Sequence, residues 1–127
     1  MRFYHTSNII VSAPDVIHSR KHLDFGNGFY LTSIEKQARD YGQRFIRRGE
    51  PAIMNIFEFA EDTPGVNRKF FPTYDGEWLD YVAACRKGLP HEQALDQLRW
   101  KKPNHQLCIT SQQVIDHYLR FIDSITL

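Results

Sequence analysis

A chain of 127 residues, 42% apolar and 24% charged, has the length and composition of one soluble globular domain that buries a core without metal or disulfide staples. A formal net charge of +1 excludes a broad basic field for nucleic acid. Any such contact is local, as through Arg44, Arg47 and Arg48, a run that reads more readily as the solvated end of a helix.

No apolar run approaches the ~20 residues of a membrane span. The opening MRFYHTS is too short and polar for a signal peptide, so a cytoplasmic protein with no membrane partner is expected. Arg2 to Ser7 alternates weakly and begins with aromatics, which predicts a first strand carrying His5 near its end. Asn8 to Leu23 has little periodicity and reads as a long loop, a kind of segment that often carries function. The stretch LDFGNGFYLTS follows, with Gly26 and Gly28 just before an apolar strand, Phe29 to Leu31. Glycine interrupts a strand where φ must be positive or where another group comes closer than a Cβ allows, and the expectation here is a turn beside a ligand.

A helix is then predicted from Thr32 and Glu35 in capping-box spacing. Its apolar stripe is Ile34, Ala38, Tyr41 and Phe45, and Gly49 and Pro51 end it. PAIMNIFEFA, Pro51 to Ala60, is apolar on both faces and predicts a central strand covered on both sides. Thr63, Pro64 and Gly65 make a turn, and Val66 to Phe71 reads as a further strand. Glu77 to Arg86 is predicted as a short helix, with Asp75 at its start and Gly88 at its close. A second helix runs from about Pro90 to Trp100. NHQLCIT is a strand, and TSQQVIDHYLRFI a last helix opened by Thr110 and Gln113. Strands and helices intermixed without regular βαβ order predict an α+β fold.

Few of the reactive residues form a self-sufficient motif. His18 and His22 stand at i, i+4, but in a loop, with no HExxH and no obvious third ligand, so no metal site is predicted. The glycines do not lead straight into a helix N-terminus, as a phosphate-cradling loop does. Cys85 and Cys108 read as reduced core residues, and Cys108, alternating into a buried strand, is a poor nucleophile.

The order of these motifs is more telling. YHTS on a strand, GNGFYLTS on the next, the helix SIEKQARDYG, and NHQLCIT followed by SQQVIDHYL together resemble the ADP-ribosyltransferase superfamily. In detail, YH-x-S, LDFG-x-GFY-x-T, EWLD and NxQ-hydrophobic-C are most similar to a bacterial branch, domain-of-unknown-function family 3990, often found beside small antitoxin-like proteins. The likeness covers most of the chain, and LDFGNGFYLT is its most specific motif.

This resemblance implies a single domain over residues 1–127 with an ADP-ribosyltransferase-like split mixed sheet flanked by short helices. It implies NAD as ADP-ribose donor and a macromolecular acceptor, protein or nucleic acid. It further implies a toxin of a toxin–antitoxin or phage-defence system, partnered by a small antitoxin protein. Carried over position by position, the catalytic residues fall on His5, Tyr30 and Gln106. The NAD-binding residues fall on His5, Thr6, Ser7, Asp24, Gly26, Gly28, Tyr30 and Tyr41. The chain departs from the superfamily in two places. Gln106 stands where poly-ADP-ribose polymerases carry a glutamate, and Arg86 to Gly88 runs almost directly into the helix at Pro90, where relatives carry another strand.

Cleaving the nicotinamide–ribose bond passes through an oxocarbenium-like state. It calls for aromatic faces around nicotinamide, here Tyr30 and Tyr41, for a bond to its amide from the backbone at Thr6, and for a ribose partner, His5. Gln106 stabilises a cation less than a carboxylate does, which points to transfer of a single ADP-ribose or to a catalytically silent binding module. Asp24, Asp75, Glu77 and Asp80 are the alternative carboxylates, Asp24 favoured because it adjoins the glycine turn. Read without the resemblance, Tyr41 fits a helix core stripe, and Gln106 is a polar group that needs a partner in an apolar strand whatever its role.

Overall fold

The alternating RFYHTS segment forms β1 (Arg2–Ser7), and FYLT forms β2 (Phe29–Thr32), which leads into α1 (Glu35–Arg47). β3 (Ile53–Glu58), β4 (Arg68–Phe71), β5 (Leu98–Lys101) and β6 (Gln106–Ile109) follow, and then α2 (Gln112–Tyr118) and β7 (Arg120–Thr126). The computed structural model describes residues 1–14, 28–59 and 106–127, together with the backbone of 68–71 and 98–101.

The strands form one seven-stranded sheet in the order β4-β5-β6-β2-β1-β3-β7. The β4–β5 pair is parallel and every other pair antiparallel, which makes the fold α+β with a mixed sheet. The pairing is uneven. β1 runs beside β3 from Arg2↔Glu58 to Ser7↔Ile53, and β2 beside β6 from Phe29↔Ile109 to Thr32↔Gln106. β1 and β2 themselves meet only at Tyr4↔Thr32. The two halves of the sheet therefore part along the seam between these strands.

Side-chain alternation sorts the core onto two faces. Phe3, Phe29, Leu31, Phe57, Leu107 and Ile109 build the larger cluster, closed by Val114 and Ile115 of α2. Ala38 of α1 packs with Met54 and Ile56 on the other face, with Tyr4 and Leu127 beside them. Burying one such apolar side chain contributes roughly 1.5–3 kcal/mol, so the aromatic-rich face carries most of the hydrophobic stabilisation. β3 is covered on both faces as its apolar sequence predicts, but it lies between β1 and β7, one strand in from the edge of the sheet and not at its centre. At its far end Glu58 accepts a hydrogen bond from the N-terminal ammonium of Met1. That bond, with Arg120 and Arg2 nearby, holds its carboxyl below the usual carboxylate range.

Four local expectations are corrected. α1 does not start with a capping box: its N-cap is Ile34, without a side-chain cap. Instead the Thr32 hydroxyl accepts from the Ile34 amide at 3.1 Å and donates to Gln37 Oε1 at 2.9 Å, a local turn that competes with capping geometry. The predicted box of Thr110 and Gln113 is likewise replaced by Ser111 at the N-cap of α2. The predicted last helix is cut short, because α2 ends at Tyr118 and LRFIDSIT turns into an edge strand on β3. Asp123 pairs with Ile56 and Phe121 with Phe57, which leaves Ile122 as the extra residue of a bulge and blurs the period-two pattern that would have announced a strand. Finally, the helix predicted to reach Trp100 gives way to β5 at Leu98. The rest of that helix, the turn at 63–65 and the helix at 77–86 lie outside the described residues, as does the junction from Gly88 to Pro90.

The end of α1 is as the sequence predicts. Gly49 has a φ of +75°, its amide bonds the Ile46 carbonyl, and the Glu50 amide bonds the Phe45 carbonyl. This pattern is a Schellman closure, which glycine adopts without a Cβ penalty.

Candidate functional site

Where β1 and β2 part, a cleft of about 790 Å³ opens between the two half-sheets and α1. Its walls come from four places in the chain. They are β1 with the segment after it, from Tyr4 to Pro14; β2 with the preceding glycine; the face of α1 carrying Gln37, Ala38, Tyr41 and Phe45; and Gln106 at the start of β6.

His5 sits at the parting itself. Its ring stacks on Phe29, with centroids 4.4 Å apart and planes at 28°, and its Nδ1 lies 2.7 Å from the Tyr30 carbonyl oxygen. A carbonyl can only accept, so Nδ1 carries the proton. The imidazole thus spans the gap where the β1–β2 ladder does not continue. Thr6 is turned toward α1, its hydroxyl donating to the Ala38 carbonyl at 2.7 Å. That bond ties the helix to β1 and sets the depth of the cleft.

On α1, Tyr41 is half-buried, edge-on to Phe45 at 5.8 Å. The Arg44 guanidinium lies 4.0 Å above its ring centroid, so one arginine of the predicted basic run is bound to an aromatic wall of the cleft. Gln106 is half-buried and pairs with Thr32 across β2–β6. Leu107 and Ile109 belong to the aromatic-rich core, which puts Gln106 and Cys108 on the opposite face of the strand, the face of Tyr30 and Thr32.

The structure gives Gly28 a different reason from the expected turn. A Cβ there would lie 2.4 Å from Cys108 Sγ and 2.9 Å from the Ile109 carbonyl oxygen. The group that comes too close for a side chain is β6, and the glycine lets β2 dock on it. The cleft is shaped by that docking only indirectly.

Of the predicted site residues, His5, Thr6, Ser7, Gly28, Tyr30, Tyr41 and Gln106 all line this one cleft. Asp24 and Gly26 lie outside the described residues, as do the other candidate carboxylates Asp75, Glu77 and Asp80. No Asp, Glu, Lys or Arg is among the described residues that line the cleft, and no group of metal-ligating side chains occurs among the described residues. The sequence analysis overlooked Asn55, which is fully buried in β3 and holds the wall formed by Ile9 to Val11. Its one sequence signal was a polar residue inside the apolar run AIMNIF, a group that must find partners.

No helix among the described residues is long and apolar enough to cross a membrane. A model of a family described as a protein of unknown function, DUF3990, matches residues 1–96, a span that contains His5, Tyr30 and Tyr41 and ends before Gln106. No curated protein and no solved structure matches the chain.

Proposed function

The chain belongs to the DUF3990 family of proteins of unknown function, and from that premise we propose that its cleft binds NAD and transfers a single ADP-ribose to a macromolecular acceptor. The observation that carries the reading is the convergence of His5, Thr6, Tyr30, Tyr41 and Gln106, from four separate elements, on one cleft at the parting of the sheet. Such convergence of a few polar groups and aromatics in a concave site is what a flat, hydrogen-bonding ligand requires.

In the proposed reaction the C1′–N bond of the nicotinamide ribose breaks, and its electron pair leaves with nicotinamide. A heteroatom of the acceptor forms the new bond to C1′ and releases its proton. Tyr30 and Tyr41 hold the nicotinamide ring. His5, held by the bond between its Nδ1 and the Tyr30 carbonyl, orients a ribose hydroxyl, and Gln106 faces the ribose as positive charge develops. His5 orients and removes no proton from the leaving group. An ADP-ribosyltransferase-type fold, a toxin role and a small antitoxin partner belong to the same proposal.

One observation favours a second reading, a silent binding module of the same fold: the described lining residues include no carboxylate, and Gln106 supplies no negative charge to a cation. Incubating the protein with labelled NAD and cell lysate separates the two readings. Label entering protein, RNA or DNA supports the transferase, and NAD bound without transfer supports the module.

The site assignment has its own check. Tyr30→Ala is expected to raise the Kd for NAD by about tenfold or more, the weight of one aromatic face, with circular dichroism unchanged. Equal affinity in calorimetry, or an unfolded variant, would make Tyr30 a structural residue and the assignment wrong.

A further inference from the structure

Asn55 is fully buried in the middle of β3, opposite His5 in the β1–β3 ladder. Burying a side-chain amide is unfavourable unless its groups find partners, and an apolar residue would suit the packing of a strand covered on both faces better. Apart from a long contact of Nδ2 with the Ile53 carbonyl at 3.5 Å in its own strand, the partners it finds belong to the chain that carries His5 and then walls the cleft. Nδ2 donates to the His5 carbonyl at 3.2 Å and to the Ile9 carbonyl at 3.3 Å. Oδ1 accepts from the Val11 amide at 2.8 Å.

Between those anchor points, Ile9 and Ile10 are 60% and 58% exposed while lining the cleft. Ile9 and Ile10 open to solvent and are not fixed by their own packing, so they take their position from the backbone that Asn55 grips at Ile9 and Val11, the Val11 side chain also packing on the aromatic-rich core. A second amide, Gln112 Nε2 of α2, donates to the Pro14 carbonyl at 3.3 Å and holds the far end of the same segment.

We propose that Asn55 is a positioning residue: it fixes the His5 backbone and the Ile9–Val11 wall as one unit, so that the cleft is formed before a ligand arrives. The inference rests on the reading of this cleft as an NAD site. Its loss weakens binding by releasing the wall, a cost paid by ligand affinity beyond any loss of fold stability.

The test compares Asn55→Ala, which loses every bond, with Asn55→Asp, which keeps an acceptor for Val11 and loses both donors. Ile115→Val, a core substitution in α2, serves as a control of reduced stability. Amide hydrogen exchange at Val11 and calorimetry with NAD are measured on the full chain. Exchange at Val11 is expected to accelerate about tenfold or more in Asn55→Ala, since the amide loses its buried acceptor. NAD affinity is expected to fall by about tenfold in both Asn55 variants and to stay unchanged in Ile115→Val.

Unchanged exchange at Val11 in Asn55→Ala, or NAD affinity equal to wild type in both Asn55 variants, overturns the proposal. Should Asn55→Ala fail to fold, the affinity of Asn55→Asp decides in the same way. If wild type binds no NAD, it is the NAD reading that fails, and exchange at Val11 alone then decides whether Asn55 positions the wall.

Discussion

Gly28→Ala is expected to destabilise the fold by about 1–3 kcal/mol, the usual cost of forcing a methyl into a closed site, and so to lower Tm by roughly 5–10 °C for a chain of this size. The methyl would meet the buried Cys108 Sγ at 2.4 Å and the Ile109 carbonyl oxygen at 2.9 Å. The first can turn aside only within a packed core, and the second is backbone in a ladder. Thermal unfolding followed by circular dichroism reads the effect. A double-mutant cycle with Cys108→Ala separates the two contacts: removing the sulfur is expected to recover part of the loss, and the carbonyl contact keeps the rest. An unchanged Tm for Gly28→Ala would mean that β2 and β6 are not docked as closely as described. The same experiment separates the two explanations of the GNG sequence, because a glycine needed only to make room for NAD would cost ligand affinity and no stability.

The second large effect concerns Gln106. In the transferase reading, Gln106→Ala is expected to lower kcat by about 10- to 100-fold while changing the Kd for NAD by less than about threefold, since the interaction strengthens only as charge develops on the ribose. Gln106→Glu is expected to raise turnover, because a carboxylate stabilises a neighbouring cation more strongly than an amide does. Single-turnover measurements with saturating NAD read both variants. If Gln106→Ala turns over as fast as wild type with NAD bound, the residue is not catalytic, and the chemistry moves to one of the carboxylates Asp24 or Glu77. If wild type transfers nothing to any acceptor class and Gln106→Glu gains activity, the chain is a binding module whose fold still supports the reaction.

The Gln106 expectation could be framed from the sequence, whose strongest signals were local. RFYHTS, FYLT, IMNIFE and QLCI announced their strands by alternation or apolar runs, and Gly49 announced the end of α1 by a requirement of its own backbone. The cleft was legible to the same extent, since His5, Thr6, Ser7, Gly28, Tyr30, Tyr41 and Gln106, carried over by resemblance, converge on it, Asp24 and Gly26 lying outside the described residues. What escaped was determined by distant partners. Nothing near Gly28 in the chain says that Cys108 and Ile109 will press against it. YLRFIDSIT continues a helical pattern until β3 offers it an edge, and the bulge at Ile122 shifts its alternation out of phase. Asn55 was hidden for the same reason, its meaning lying in carbonyls and an amide 44 to 50 residues earlier, between His5 and Val11.

The seam between β1 and β2 bears on how a ligand would be felt. Across it the backbone ladder is reduced to Tyr4↔Thr32. Beyond it the halves are joined by the hydrogen bond between His5 Nδ1 and the Tyr30 carbonyl and by packing, with Phe29 edge-on to Phe57 at 5.6 Å and stacked on His5. Ladder bonds are directional and break when strands slide, whereas aromatic packing tolerates small shifts at little cost. The seam is therefore the line where the backbone ladder of the sheet is thinnest, with each half keeping its own pairing on either side. A molecule that touches β1 on one side and β2 with β6 on the other acts as a clasp across that line. Its binding energy would add to the cohesion of the two halves, so the degree to which unfolding becomes more cooperative with added ligand, and not only the rise in midpoint, would report that both lips of the seam are engaged.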